Sequence, residues 1–146
     1  MSDLQSVTIP IVVADFYRDI AAMLVEGAQD VITSNGFNSS SLFYVPGALE
    51  IPVTVKTLID HTQPPAVVCL GAVIRGETPH FDVVINESAR GLMDLSIEYG
   101  VPILNGILTV ESREQAFDRL GGAHGHKGRD VAQAAVDMIR LIDQLK

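Results

Sequence analysis

Apolar positions along this chain switch period several times. Residues 9–14 form a short unbroken apolar run, and Pro10 confines its start to an edge or a strand beginning. From Phe16 the spacing turns helical, with Ile20, Met23, Leu24, Ala28, Val31 and Ile32 recurring every three or four residues. Asp15 is the expected N-cap of that helix and Gly36 its stop. Residues 42–45 read as a strand broken by Pro46 and Gly47, and a helix is predicted from residue 49 or 50 to 61. Pro64 and Pro65 punctuate the chain before the central strand, 66–73. A helix over 82–99, ended by Gly100, precedes a strand over 102–108 and a helix over 111–120. Gly121, Gly122, Gly125 and Gly128 predict a flexible connection into a last helix over 128–145. That helix carries Val131, Ala134, Ala135, Met138, Leu141 and Ile142 on one face.

Strands alternate with helices, and the strands are apolar almost throughout. Such a pattern needs a parallel sheet covered on both faces. The expected architecture is a three-layer αβα sandwich with a four-stranded parallel sheet and flavodoxin-like winding, in one domain over 1–146. Ligands should then sit beyond the carboxyl ends of the strands.

The 146 residues are 47% hydrophobic against 19% charged. No apolar run approaches the ~20 residues that cross a bilayer, and the first residues lack a basic signal-like region, so a cytoplasmic protein is expected. The apolar excess then points to subunit interfaces. A net charge of −8 argues against general nucleic-acid binding, which needs clustered Lys and Arg. Cys69 is the only cysteine and lies mid-strand, so packing is expected of it rather than chemistry.

Candidate chemistry concentrates where the central strand ends. Val73-Ile74-Arg75-Gly76-Glu77-Thr78 runs through Pro79 into His80, a strand-to-helix turn whose backbone N–H groups can take an anion. His80 sits in the same turn, able to take and give a proton near neutrality. An anion cradle beside a proton shuttle suits a phosphorylated small molecule. His124 and His126 form a His-x-His pair without a third ligand, a weak zinc signal in a glycine-rich loop.

Residues 45–52, 71–82 and 106–109, the Glu114-Gln115-Ala116 run with Arg119, and His126-Lys127-Gly128 together resemble the lumazine synthase family, in its order and spacing. The resemblance implies condensation of 5-amino-6-(D-ribitylamino)uracil with 3,4-dihydroxy-2-butanone 4-phosphate, the penultimate step of riboflavin synthesis, without metal or organic cofactor. It implies His80 as the catalytic proton carrier and Arg119 as the phosphate clamp, with Glu77 and Thr78 offering backbone N–H groups. It further implies Phe16 lying flat on the pyrimidine ring, with Val73 and Ile74 pairing to its amide edge and Lys127 to a ring carbonyl. Ala48, Leu49 and Glu50 would hold the ribityl chain, whose end is expected near Asn105. Asp130 would orient Lys127 or His80. Many members carry other residues at Asp15, Tyr17, Leu49 and Asn105, while the phosphate half is unaltered here. The family packs as pentamers, some closed into icosahedral shells. A homopentamer is therefore expected, with Phe16, Glu50 and His80 from one subunit and Asn105, Arg119 and Lys127 from its neighbour. The alternative is a non-catalytic module of the same fold that binds riboflavin or a lumazine.

Overall fold

The computed structural model describes residues 7–146. Residues 1–6, on which the expectation of no leader rests, lie outside the described residues. The strands β1 (Ile11–Ala14), β2 (Leu42–Val45), β3 (Val67–Ile74) and β4 (Ile103–Val110) make one sheet in the order β2-β1-β3-β4. All of its pairings are parallel, with Ile11 opposite both Leu42 and Val68, and Val67 opposite Ile103. This is the predicted winding.

Successive side chains of a strand leave opposite faces, and the core divides accordingly. Ile11, Val13, Val68 and Leu70 pack into one cluster with the helices α1 (Arg18–Ser34) and α5 (Lys127–Leu145). Val12, Ala14, Val67 and Cys69 pack into the other with α2 (Ile51–Thr62) and α3 (His80–Tyr99). Helices therefore cover both faces, giving three layers. The α1–α5 contact is close: a β-carbon added at Gly128 would stand 2.3 Å from the Leu24 carbonyl oxygen.

Five expectations need correction. Tyr17, not Asp15, occupies the cap position of α1: Asp15 still extends the β1–β2 pairing, its N–H donating to the Val45 carbonyl at 3.1 Å, and the helix starts only at Arg18. A 3-10 turn, Ala48–Glu50, precedes α2, so its helix proper begins at Ile51. The fourth helix, α4 (Arg113–Asp118), is shorter than the predicted 111–120: Ser112 caps it by accepting from the Gln115 N–H, and Leu120 turns extended. The glycine-rich connection is a small antiparallel hairpin of β5 (Leu120–Gly122) and β6 (Gly125–His126). Gly121 and Gly125 hold φ of 104° and 75°, a region costly for other residues. On α5 the buried face is Val131, Ala132, Ala135 and Val136, while Met138 and Leu141 are exposed.

Candidate functional site

β1 has β2 on one side and β3 on the other, so the loops leaving these strands diverge and open a crevice at their carboxyl ends. A cavity of about 370 Å³ lies there. Each wall follows a strand end: Phe16 and Tyr17 after β1, Gly47 to Glu50 after β2, and Ala72 to Ile74 closing β3. Beyond β3 the wall continues through Gly76, Thr78 and His80, with Phe81 and Val84 from α3. Of the predicted residues, Phe16, Ala48, Leu49, Glu50, Val73, Ile74, Thr78 and His80 meet in this one crevice. Glu77 belongs to the same turn but does not line the cavity.

The crevice is lined by apolar side chains together with Glu50, Thr78 and His80. Phe16 is 73% exposed, a large aromatic face with no cover of its own. Tyr17 forms a T-shaped pair with it, centroids 5.0 Å apart and ring planes at 76°. Among the described residues, the backbone N–H groups of Gly76, Glu77 and Thr78 have no hydrogen-bond partner. Donors left free beside the first turn of a 20-residue helix make a ready anion seat. His80 opens that helix, its N–H directed at the Thr78 hydroxyl at 3.4 Å.

The cationic residues lie elsewhere. Arg119, Lys127 and Asp130 line a second cavity, about 290 Å³, against Ile107 to Val110 of the edge strand β4. The hairpin creates this group, since it returns the chain so that the Lys127 N–H bonds the Arg119 carbonyl at 2.9 Å. One arm of the Arg119 guanidinium donates to the Gln115 carbonyl at 3.0 Å, anchoring the fork at the end of α4. The two cavities share no lining residue. Asn105 joins neither: it is exposed on β4 and its side-chain oxygen accepts from the Ile107 N–H at 3.0 Å.

The paired histidines have separate duties. His126 caps α5 by accepting from the Arg129 N–H at 3.2 Å, whereas His124 lies 2.8 Å from Asp118 and lines the second cavity. Sequence reasoning missed Tyr17, Phe81 and His124 as lining residues. Tyr17 and Phe81 each neighbour a predicted residue, which is a usable signal, but only the hairpin brings His124 to Arg119. Cys69 is fully buried, and burial pushes its thiol well above the ordinary range, leaving it inert. No helix among the described residues is long and apolar enough to cross a membrane.

Comparison with known proteins gives a consistent result. The profile of the family described as 6,7-dimethyl-8-ribityllumazine synthase matches residues 6–143. The protein of that name from Desulfotalea psychrophila is 49% identical over 138 residues, 93% of this chain and 89% of its own. The Gemmatimonas aurantiaca protein is 43% identical, covering 93% of this chain and 84% of its own. That from Coxiella burnetii is also 43% identical, covering 97% and 95%. Because the profile and these relatives span nearly all of its length, the chain belongs to the 6,7-dimethyl-8-ribityllumazine synthase family.

Proposed function

We propose that the chain, one domain over 1–146 acting in the cytoplasm, forms 6,7-dimethyl-8-ribityllumazine from 5-amino-6-(D-ribitylamino)uracil and 3,4-dihydroxy-2-butanone 4-phosphate. The observation that carries this reading is the crevice at the sheet's switch point, where an exposed aromatic, a carboxylate, a free-donor turn and a histidine share one cavity. Phe16 stacks on the pyrimidine, and the main chain of Val73 and Ile74 meets its amide edge. Ala48, Leu49 and Glu50 hold the ribityl chain. The N–H groups of Glu77 and Thr78 receive the phosphate. His80 moves the protons that amine attack on the ketone, loss of phosphate and ring closure each require, near neutral pH.

The remaining contacts come from a neighbouring subunit in a homopentamer. Arg119 clamps phosphate through its planar fork, Lys127 meets a ring carbonyl, Asp130 orients Lys127 or His80, and Asn105 faces the ribityl end. Two separate cavities support this, since a two-substrate condensation needs both sets of groups at fixed distance. Apolar exposure supports it too: Ile97 is 74% exposed and Met93 60%, surface that an assembly would cover. Closure of pentamers into a shell is a further step that light scattering resolves.

Purified protein given both substrates, without metal or nucleotide, should yield a fluorescent lumazine and release phosphate. Folded protein that binds the lumazine yet makes no product above the uncatalysed background overturns the enzyme reading in favour of a binding module.

A further inference from the structure

The second cavity holds a titratable group that the reaction as described leaves unused. His124 sits on the β5–β6 hairpin and lines the cavity with Arg119, Lys127 and Asp130. Asp118, the last residue of α4, fixes it at several points. The Asp118 carbonyl accepts from the His124 N–H at 3.1 Å, its Oδ1 accepts from the Ala123 N–H at 3.3 Å, and its Oδ2 lies 2.8 Å from the His124 Nδ1. An ionised carboxylate only accepts, so the proton in that contact belongs to Nδ1. Nε2 is left as the ring's free nitrogen, an acceptor when the imidazole is neutral and a donor when it is charged. The imidazole contact, with the Ala123 N–H, holds the Asp118 carboxyl below its usual range, so the partner is a standing anion.

An exposed surface histidine has little reason to be gripped this way by its own turn. Resting on the reading of Arg119 as the phosphate clamp, we infer that His124, oriented by Asp118, is a second contact for the phosphate monoester, donating its Nε2–H to a phosphate oxygen beside the Arg119 fork. The charged groups around the ring set the balance. Asp118 behind it and Asp130 on α5 favour the imidazolium, whereas Arg119 and Lys127 oppose it. A dianion in the cavity offsets the two cations and adds an acceptor, so binding and protonation reinforce one another. Affinity for a tetrahedral dianion therefore rises as pH falls through the range where imidazoles titrate.

Inorganic sulfate is the clean probe, because its own charge is constant over that range. Its inhibition constant against the phosphorylated butanone is measured on the assembled enzyme at about pH 8 and about pH 6, for wild type, His124→Gln, Asp118→Asn and Arg119→Ala. Thermal melts confirm that each variant is folded. Any part of the pH slope that comes from other groups is common to wild type and His124→Gln. The expected result is that His124→Gln loses much of the wild-type tightening at low pH. Its KM for the phosphorylated substrate should rise roughly three- to tenfold, with kcat within about twofold, and Asp118→Asn should fall between the two. If His124→Gln keeps the wild-type slope and KM while Arg119→Ala weakens sulfate, His124 is no phosphate contact and the clamp reading stands. If Arg119→Ala also leaves sulfate inhibition untouched, the clamp reading fails and this inference with it.

Discussion

Arg75 clasps Glu111 across the ends of β3 and β4: the one Nε–H of Arg75 is shared between the two carboxylate oxygens of Glu111, 3.0 Å from each. The same guanidinium stacks 4.4 Å from the centroid of the Phe81 ring, and Phe81 is the residue after His80. Asp82 of α3 stands 3.8 Å away, and the Glu111 N–H donates to the Gln115 side chain at 2.7 Å. The turn bearing the free N–H groups and His80 is thus tied to β4 and α4 through one planar cation. Glu111 also keeps Arg75 more firmly protonated than usual. The charges are partly exposed, so the clasp adds little to stability. Its consequence is position.

Replacing Arg75 by Lys keeps the charge but loses the fork and the flat face over Phe81. Arg75→Lys should lower kcat/KM roughly tenfold by misplacing the turn, while the melting temperature stays close to wild type. Wild-type kinetics in a folded Arg75→Lys protein would show that the turn holds its shape unaided.

Proton transfer and anion binding separate in two further variants. His80→Ala should lower kcat by roughly 10²-fold or somewhat less, the low end for general acid–base catalysis, because the condensation also proceeds slowly unaided. Arg119→Ala should act mainly on KM for the phosphorylated substrate, by about 2 kcal/mol for a lost charge-assisted contact. Steady-state kinetics in both substrates makes the distinction, and an unchanged KM in Arg119→Ala would remove it from the phosphate site.

Much of this was legible in the sequence, for physical reasons. β1 to β3 are apolar almost throughout, β4 is broken only by Asn105, Gly106 and Thr109, and each strand has a proline close to one end, so periodicity finds them within a few residues. The His80 turn is a local motif and survives intact. What failed were features that local pattern cannot encode. Asp15 is a good capping residue, but its backbone still pairs with Val45, a partner 30 positions away (45 − 15), and the helix starts past it at Arg18. Glycines at 121 and 125 suggest looseness, yet their positive φ values build a hairpin fixed by Asp118. Met138 and Leu141 share a stripe with Val131 and Ala135, but α1 covers only part of that stripe. That Arg119 and His80 line different cavities of one chain is in keeping with the family resemblance, but nothing in the local pattern encodes it.

The buried thiol gives stability a defined response to alkali. Cys69 is fully buried and its folded-state pKa is raised by desolvation, so its contribution is complete below the pKa of an unfolded thiol, about 8.5. Above that value only the unfolded chain releases the proton. Stability then falls as pH rises, by about 1.4 kcal/mol per pH unit from this group. Denaturant midpoints at several pH values, for wild type and Cys69→Ala, isolate it because all other groups are common to both. A steeper alkaline loss in wild type is expected, and parallel curves would contradict it.

The central claim is that each working site joins the His80 crevice of one subunit to the Arg119 cavity of the next, and mixing variants tests it most directly. His80→Ala with Glu50→Ala disables one half, and Arg119→Ala with Lys127→Ala disables the other. The two proteins are dissociated, combined in equal amounts and reassembled, with mixing verified by a mass tag on one of them. Random mixed rings carry both intact halves at roughly a quarter of their interfaces, so activity should recover to about that fraction of wild type. Rings shown to be mixed that stay at the level of the separate variants would mean that each site is built within a single chain.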